Sequence, residues 1–111
     1  MTYRNRALLN LAHDLHDCTI RIPGVCQGYV VEGLHPCHAN WQWFDRGSWH
    51  KAHDIFAAGC PPCHDAIDRG NKLTRDEKQG YWLRGAVRTW LALMMAGSLV
   101  VVPRRNRRGV T

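Results

Sequence analysis

The chain has 111 residues, of which 45% are hydrophobic and 22% are charged. This length suits one domain and excludes a multidomain architecture, and the composition is ordinary for a globular protein. The net charge of +6 and the pI near 9.4 favour a polyanionic partner, without choosing between nucleic acid and a membrane surface. The longest apolar run, residues 90–102, contains Gly97 and Ser98 and is too short to span a bilayer.

Four segments can be predicted from the first 60 residues. Apolar residues at helical spacing predict a short helix over residues 3–16. β-branched residues on either side of a Pro-Gly dipeptide predict a β-hairpin over residues 18–34. Residues 35–53 are rich in His and Trp and poor in aliphatic residues, so we interpret them as a functional loop. Residues 54–60 are expected to form a short strand.

Helices dominate the remainder of the predicted domain. A short helix is expected over residues 63–69, ending at Gly70. Thr74 and Glu77 have the spacing of a capping box, which opens a second, longer helix. That helix should end near Gly97.

The cysteines are the clearest chemical signal. Five are many for this length, and their odd number argues against a closed disulfide framework. No secretory segment follows Met1, so we expect a reducing cytoplasm, where clustered Cys and His usually bind metal.

Cys60 and Cys63 have the C-x-x-C spacing that holds one tetrahedral ion, and a hairpin would bring Cys18 and Cys26 together as the second pair. The alternative is that this second pair consists of small buried hydrophobic residues. Cys37 is either a spare ligand or a free thiol, and we favour the free thiol.

A competing interpretation uses the same C-x-x-C pair. Cys60, Cys63 and His64 also fit the C-x-x-C-H pattern of covalent haem attachment, with Met94 as a distal ligand. This chemistry needs export to an oxidising compartment, and it leaves the upstream cysteine pair without a role. We therefore prefer the structural zinc site.

Several histidines are candidate metal ligands. His64 and Asp68 are four residues apart, so a helix would place both side chains on one face, where they could hold a divalent ion. The alternative for Asp68 is an exposed helical residue. Further candidates for metal or phosphate contact are His35, His50 and His53.

Four segments carry a resemblance to a known family: residues 18–26 (CTIRIPGVC), 38–41 (HANW), 51–54 (KAHD) and 60–70 (CPPCHDAIDRG). Across about residues 14–95 the sequence resembles phage-borne HNH nucleases related to YbcO and to the Rap recombination nucleases. The resemblance implies an α+β fold, a small zinc-stabilised ββα-metal, treble-clef-like domain with flanking helices. We place this domain at residues 1–103.

The resemblance also assigns roles. It implies Cys18, Cys26, Cys60 and Cys63 as structural zinc ligands. It implies His38 as general base, Asp54 in place of the family's Asn, and His64 as ligand to a catalytic Mg²⁺ or Mn²⁺ ion. One departure is Cys37, a soft residue where many HNH proteins place an Asp or His ligand before the base. Asp68, His35 or His53 would then supply the second ligand.

The expected function is metal-dependent cleavage of phosphodiester bonds in DNA, in phage recombination or in the processing of branched or single-stranded DNA. The alternative is a non-catalytic, zinc-stabilised DNA-binding module. The expected DNA contacts are Arg104, Arg105, Arg107, Arg108, Lys51 and Trp41. Residues 104–111 would otherwise be a flexible, solvated tail. We expect host cytoplasm, no membrane partner, and compatibility with a homodimer, since Trp82 and Trp90 suit core or dimer contacts.

Overall fold

The computed structural model describes the backbone of residues 6–39 and 52–103, and the side chains of residues 6–38 and 55–103. The elements are α1 (Arg6–Asn10), a 3-10 helix (Leu11–Asp14), β1 (His35–Ala39), β2 (Ala52–Gly59), α2 (Pro61–Asp68) and α3 (Arg75–Met95). The architecture is therefore the small α+β domain that the sequence predicts. Within these residues, no helix combines the length and apolarity needed to cross a membrane.

The two strands form an antiparallel pair, in which His35 lies opposite Gly59 and His38 opposite Phe56. The register shifts between His38 and Ala39, where the pairing becomes irregular. Our interpretation of residues 35–53 as a loop is wrong at both described ends, since β1 begins at His35 and β2 begins at Ala52 rather than residue 54. The segment His-Pro-Cys-His-Ala has weak strand propensity, so it is the pairing with β2 that makes it a strand.

The predicted hairpin over residues 18–34 is also wrong as a pair of regular strands. A single antiparallel bridge joins Asp17 to Tyr29, and the amide of Cys18 donates to the carbonyl of Gly28 at 2.9 Å. Between these points the backbone turns, with positive φ at Gly24 and Gly28. Left-handed residues interrupt extended backbone, so the segment folds as a compact loop closed only at its base.

Helix α3 packs along β2 and supplies much of the core. The capping box of Thr74 and Glu77 is present, as predicted. Trp82 is buried and its indole N–H donates to the carbonyl of Cys37 at 2.8 Å. Gly85 permits a close approach, because a Cβ there would lie 3.1 Å from the Cβ of Ala57. Trp90, by contrast, is 51% exposed, so only one of the two helical tryptophans belongs to the core.

Candidate metal centre and the adjacent histidines

Four cysteines converge in one place. The sulfurs of Cys18, Cys26, Cys60 and Cys63 all lie within 4.8 Å of one another, and all but Cys26 are buried. Four thiolates around one zinc ion at about 2.3 Å would stand about 3.8 Å apart. A small contraction of the observed cluster gives that tetrahedron, and four sulfur donors are the set that zinc or an iron–sulfur centre prefers.

The chain positions the two pairs by different means. Cys18 and Cys26 lie in the loop that the Asp17–Tyr29 bridge closes. Cys26 ends a tight turn in this loop, since its backbone N–H donates a hydrogen bond to the carbonyl of Ile22. Cys60 follows β2 directly as the N-cap of α2, and Cys63 lies in the first turn of that helix. The intervening prolines suit this position because the first turn of a helix does not need their missing N–H groups.

Backbone amides point at the sulfurs. The amide of Gln27 donates to Sγ of Cys60, that of Gly28 to Sγ of Cys26, and that of Cys60 to Sγ of Cys18, each at 3.3 Å. These bonds stabilise negative charge on sulfur. The hydrogen bond with the thiol of Cys63, followed by backbone bonds that include the one from Cys60, lowers the pKa of Cys18 to about 4 against the opposing effect of burial.

The remaining thiols respond in the opposite direction. The hydrogen bond with Cys18, followed by burial, raises the pKa of Cys63, and burial raises the pKa of Cys26. Four cysteines whose sulfurs converge in this way are the donor set of a structural zinc site, so the four residues fit the predicted zinc. Their convergence also gives Cys18 and Cys26 the role that the haem interpretation lacks.

His64 follows directly after Cys63, so the cysteine cluster fixes where this imidazole lies. The ring is half-buried, and burial lowers the pKa of His64 while the nearby Asp68 carboxylate acts in the opposite direction. Its ring centroid lies 6.2 Å from that of His35 on β1, and the His35 centroid lies 6.2 Å from that of His13. Three imidazoles from three elements are therefore linked by neighbouring rings, His13 to His35 and His35 to His64, and we call this group the histidine row.

His13 is the member of this row that sequence reasoning missed. It lies in the 3-10 helix, 22 residues before His35, and no spacing rule connects the two. The contact depends on Gly33, whose φ is +97° and whose missing side chain lets its backbone lie directly against the backbone of His13. A glycine near the end of the predicted hairpin was the available signal, but its contact partner could not be predicted from the sequence.

His38 lies on the same strand as His35 but three residues further on. Side chains alternate along a strand, so regular geometry directs these two imidazoles to opposite faces of the sheet. The register shift follows His38, so the pairing becomes irregular beyond this residue and not between the two histidines. Cys37, between them, is 1% exposed and belongs to the apolar core rather than to the four-cysteine cluster.

The other predicted site residues have varied outcomes. Asp68 is exposed at the end of α2, one turn after His64, as the helix prediction requires. The backbone of Asp54 belongs to β2, but its side chain lies outside the described residues. Other predicted contacts also lie outside them: Trp41, Lys51, His50, Arg104, Arg105, Arg107 and Arg108, together with the side chain of His53.

A pair of buried hydroxyls ties the cysteine cluster to α3. Thr19, next to Cys18, donates to the carbonyl of Ala58 at 2.6 Å, and the amide of Ala58 donates to the hydroxyl of Thr89 at 2.9 Å. The guanidinium of Arg88 donates to the carbonyl of Thr19 at 2.8 Å. Both chain segments that carry buried ligands are thus anchored to one helix, a role that sequence reasoning did not assign.

The chain is similar to a known protein family and to a solved structure. A protein family described as "Putative nuclease YbcO" matches residues 8–98. Among solved structures, one described as a putative bacteriophage protein from Escherichia coli str. K-12 substr. MG1655 superposes with a TM-score of 0.58. It is 26% identical, and the match covers 81% of this chain and 99% of that one. No curated protein matches the chain. Because the family match spans most of the chain, including all four clustered cysteines, the chain belongs to the YbcO family.

Proposed function

We propose that this protein is a zinc-stabilised, metal-dependent endonuclease of the HNH type that hydrolyses phosphodiester bonds in DNA. The observation that carries the proposal is the placement of His64. The four-cysteine cluster holds the start of α2 beside β1, so a half-buried imidazole lies in a β-β-α arrangement next to a second imidazole. The family's description as a nuclease supports the same chemistry.

In the proposed reaction each residue has one task. His64, with Asp68 one turn later, would hold the divalent ion, which when bound would stabilise negative charge on the phosphate and on the leaving oxygen. His38 takes the proton from the attacking water, and Asp54 orients His38. Attack on phosphorus with departure of the 3′ oxygen leaves 5′-phosphate ends.

The net charge of the chain and its similarity to a phage protein support the proposed substrate. A net charge of +6 favours phosphate contacts, to which Lys51 and the arginines of residues 104–108 would contribute. The similar Escherichia coli structure is described as that of a bacteriophage protein. We therefore propose that the substrate is phage DNA undergoing recombination, with branched or single-stranded segments on which Trp41 could stack.

The decisive experiment is a cleavage assay on linear, single-stranded and four-way-junction DNA, with Mg²⁺, Mn²⁺ or EDTA. We expect His38→Ala to abolish cleavage while zinc content and DNA binding persist. The matched control is His16→Gln, because this histidine stacks on Tyr29 and bonds to the carbonyl of Val30 and has no role in the proposed reaction. Full activity of the His38→Ala variant would refute the assignment of the base.

A second candidate is a non-catalytic zinc module that binds DNA. The observation favouring it is Cys37, which stands where a metal ligand would precede the base and is buried in the core. This alternative predicts DNA binding that weakens steeply with salt and no cleavage with any divalent metal.

A further inference from the structure

We propose that His35 and His64 together bind one first-row transition-metal ion, with His35 taking the ligand role that Cys37 cannot fill. This inference rests on the proposed function and deepens it, because it names the second ligand and the class of metal. Neither the cysteine spacing nor the helix prediction selects His35 over the other candidate histidines.

The first support is distance. Two imidazoles that share an ion at about 2.0–2.1 Å from each nitrogen keep their ring centroids roughly 5–6 Å apart. The observed separation of 6.2 Å between the centroids of His35 and His64 lies just beyond that span, so the exposed His35 ring would have to move slightly towards His64 for both to reach one ion.

The second support is the rigidity of the surroundings. His64 is fixed by its neighbour Cys63 in the four-cysteine cluster, and His35 is fixed by its pairing with Gly59 at the end of β2. Only one residue separates Gly59 from the helix that carries His64. The two ligands are therefore held by one strand–helix corner, and the ion would need little reorganisation of the chain.

The third support is the chemistry of the donors. Two neutral imidazoles suit zinc, nickel, copper and iron, whereas magnesium prefers oxygen ligands and retains water. Asp68 lies exposed one helical turn after His64, where its carboxylate adds negative charge. We therefore expect Ni²⁺ or Zn²⁺ to bind here more tightly than Mg²⁺.

The test is calorimetric titration of Ni²⁺ into full-length protein already carrying one zinc per chain. We expect one Ni²⁺ per chain, and roughly tenfold or greater loss of affinity in both His35→Ala and His64→Ala, in line with removal of a metal-site residue. His16→Gln is the control and should bind as the wild type does. Zinc content and circular dichroism must be unchanged, which the exposure of His35 allows.

Two results separate this inference from the proposed function. Wild-type Ni²⁺ affinity in His35→Ala, or no Ni²⁺ binding at all, overturns the metal site whatever the nuclease assay shows. Ni²⁺ binding that depends on both histidines, in a protein that cleaves no DNA, supports the metal site and refutes the proposed function.

A separate observation concerns the outer face of α3. Leu83, Val87, Trp90, Leu91 and Met94 form an apolar stripe along this helix, each between 48% and 64% exposed. We call these five residues the α3 stripe. We infer that it is the interface of a homodimer in which two α3 helices pack antiparallel about a two-fold axis.

The spacing of the stripe fits a second copy of the same chain. Residues 83, 87, 90 and 94 are separated by four, three and four positions, which reads identically in both directions along the helix. In an antiparallel pair Leu83 would lie opposite the partner's Met94, and Val87 opposite the partner's Trp90. Each contact then joins two apolar side chains, and the small Val faces the large Trp, as a self-complementary interface requires.

Area and charge support the same occupant. The stripe presents on the order of 500 Å² per chain, so a pair would bury about 1,000 Å² in total, which is the lower bound for a specific interface. Arg88 is bonded to Thr19 and Arg84 lies over the ring of Tyr81, so both arginines are engaged within their own chain. An apolar cavity of about 190 Å³ beside Trp90 offers further space for a partner side chain.

The test is sedimentation equilibrium of the full chain with a matched pair of variants. Val87→Glu should weaken dimerisation roughly 30-fold or more, as for an interface hot spot. Val31→Glu makes the same change at a 76% exposed position outside α3 and should remain dimeric. A wild-type protein that stays monomeric up to 100 µM, or a Val87→Glu variant that dimerises normally, would overturn the inference.

Discussion

Replacing Thr89 by Val tests how the fold positions the cysteine cluster. The side chain of Thr89 is fully buried, and its hydroxyl accepts from the amide of Ala58 at 2.9 Å and donates to the carbonyl of Gly85 at 2.8 Å. The hydroxyl of Thr19 lies 3.1 Å away and is itself bonded to Ala58. Valine has nearly the same shape, so the substitution removes these bonds without opening a cavity.

The magnitude follows from the group left without a partner. The amide of Ala58 faces Thr89 in the dry core, and an unsatisfied buried donor costs about 1–3 kcal/mol. We expect Thr89→Val to lower the free energy of unfolding by about 2 kcal/mol, since the carbonyl of Gly85 keeps its helical bond. Thr89→Ser retains the hydroxyl but loses a methyl group, which costs about 1 kcal/mol.

Urea unfolding of the zinc-loaded protein, followed by circular dichroism, measures both variants. The amide of Ala58 loses its acceptor in Thr89→Val but keeps it in Thr89→Ser. We therefore also expect this amide to exchange with deuterium faster in Thr89→Val. If Thr89→Val were as stable as the wild type within 0.5 kcal/mol, the hydroxyl network would not be what joins β2 to α3.

Three further predictions concern the metal, the histidine row and the DNA. Cys63→Ser should lose the bound zinc, as measured by elemental analysis, and unfold at 25 °C, because structural zinc contributes on the order of 10 kcal/mol to such domains. The control Cys37→Ala should keep its zinc, and a fully zinc-loaded Cys63→Ser variant would contradict the assignment. Gly33→Ala should lower the free energy of unfolding, measured with urea, by about 1–3 kcal/mol, because φ is +97° and the new methyl group would collide with the backbone of His13. An unchanged free energy of unfolding would show that this contact is not tight. Deleting residues 104–111 should reduce the steepness with which the DNA-binding constant falls with salt, the slope of log K against log[salt], by about 3–4, since four arginines are lost. An unchanged slope would mean that these arginines do not contact phosphate.

The prediction of the metal centre and that of the elements around it had different outcomes. Cysteine spacing identified all four members of the cluster, although the hairpin expected to join Cys18 and Cys26 is a loop with a single bridge. The prediction of the cluster was nevertheless correct, because the two sulfurs need only lie close together. Both the predicted hairpin and the observed loop bring them close. The capping box was predicted correctly because it depends on residues three positions apart.

Strand β1 and the histidine row were not predictable in the same way. His35–Ala39 has weak intrinsic strand preference and becomes a strand by pairing with β2, which lies across residues 40–51 in sequence. His13 and His64 are 51 residues apart, and both lie near His35 only because Gly33, the β1–β2 pair and the cysteine cluster bring three elements together.

The sequence by itself determined the four cysteines of the cluster, the long capped helix and the basic character of the chain, because these depend on residue type and short-range spacing. Tertiary structure decided which imidazole lies beside His64 and which face of α3 stays exposed. Those features depend on contacts between distant segments, where pairing and packing outweigh local propensity.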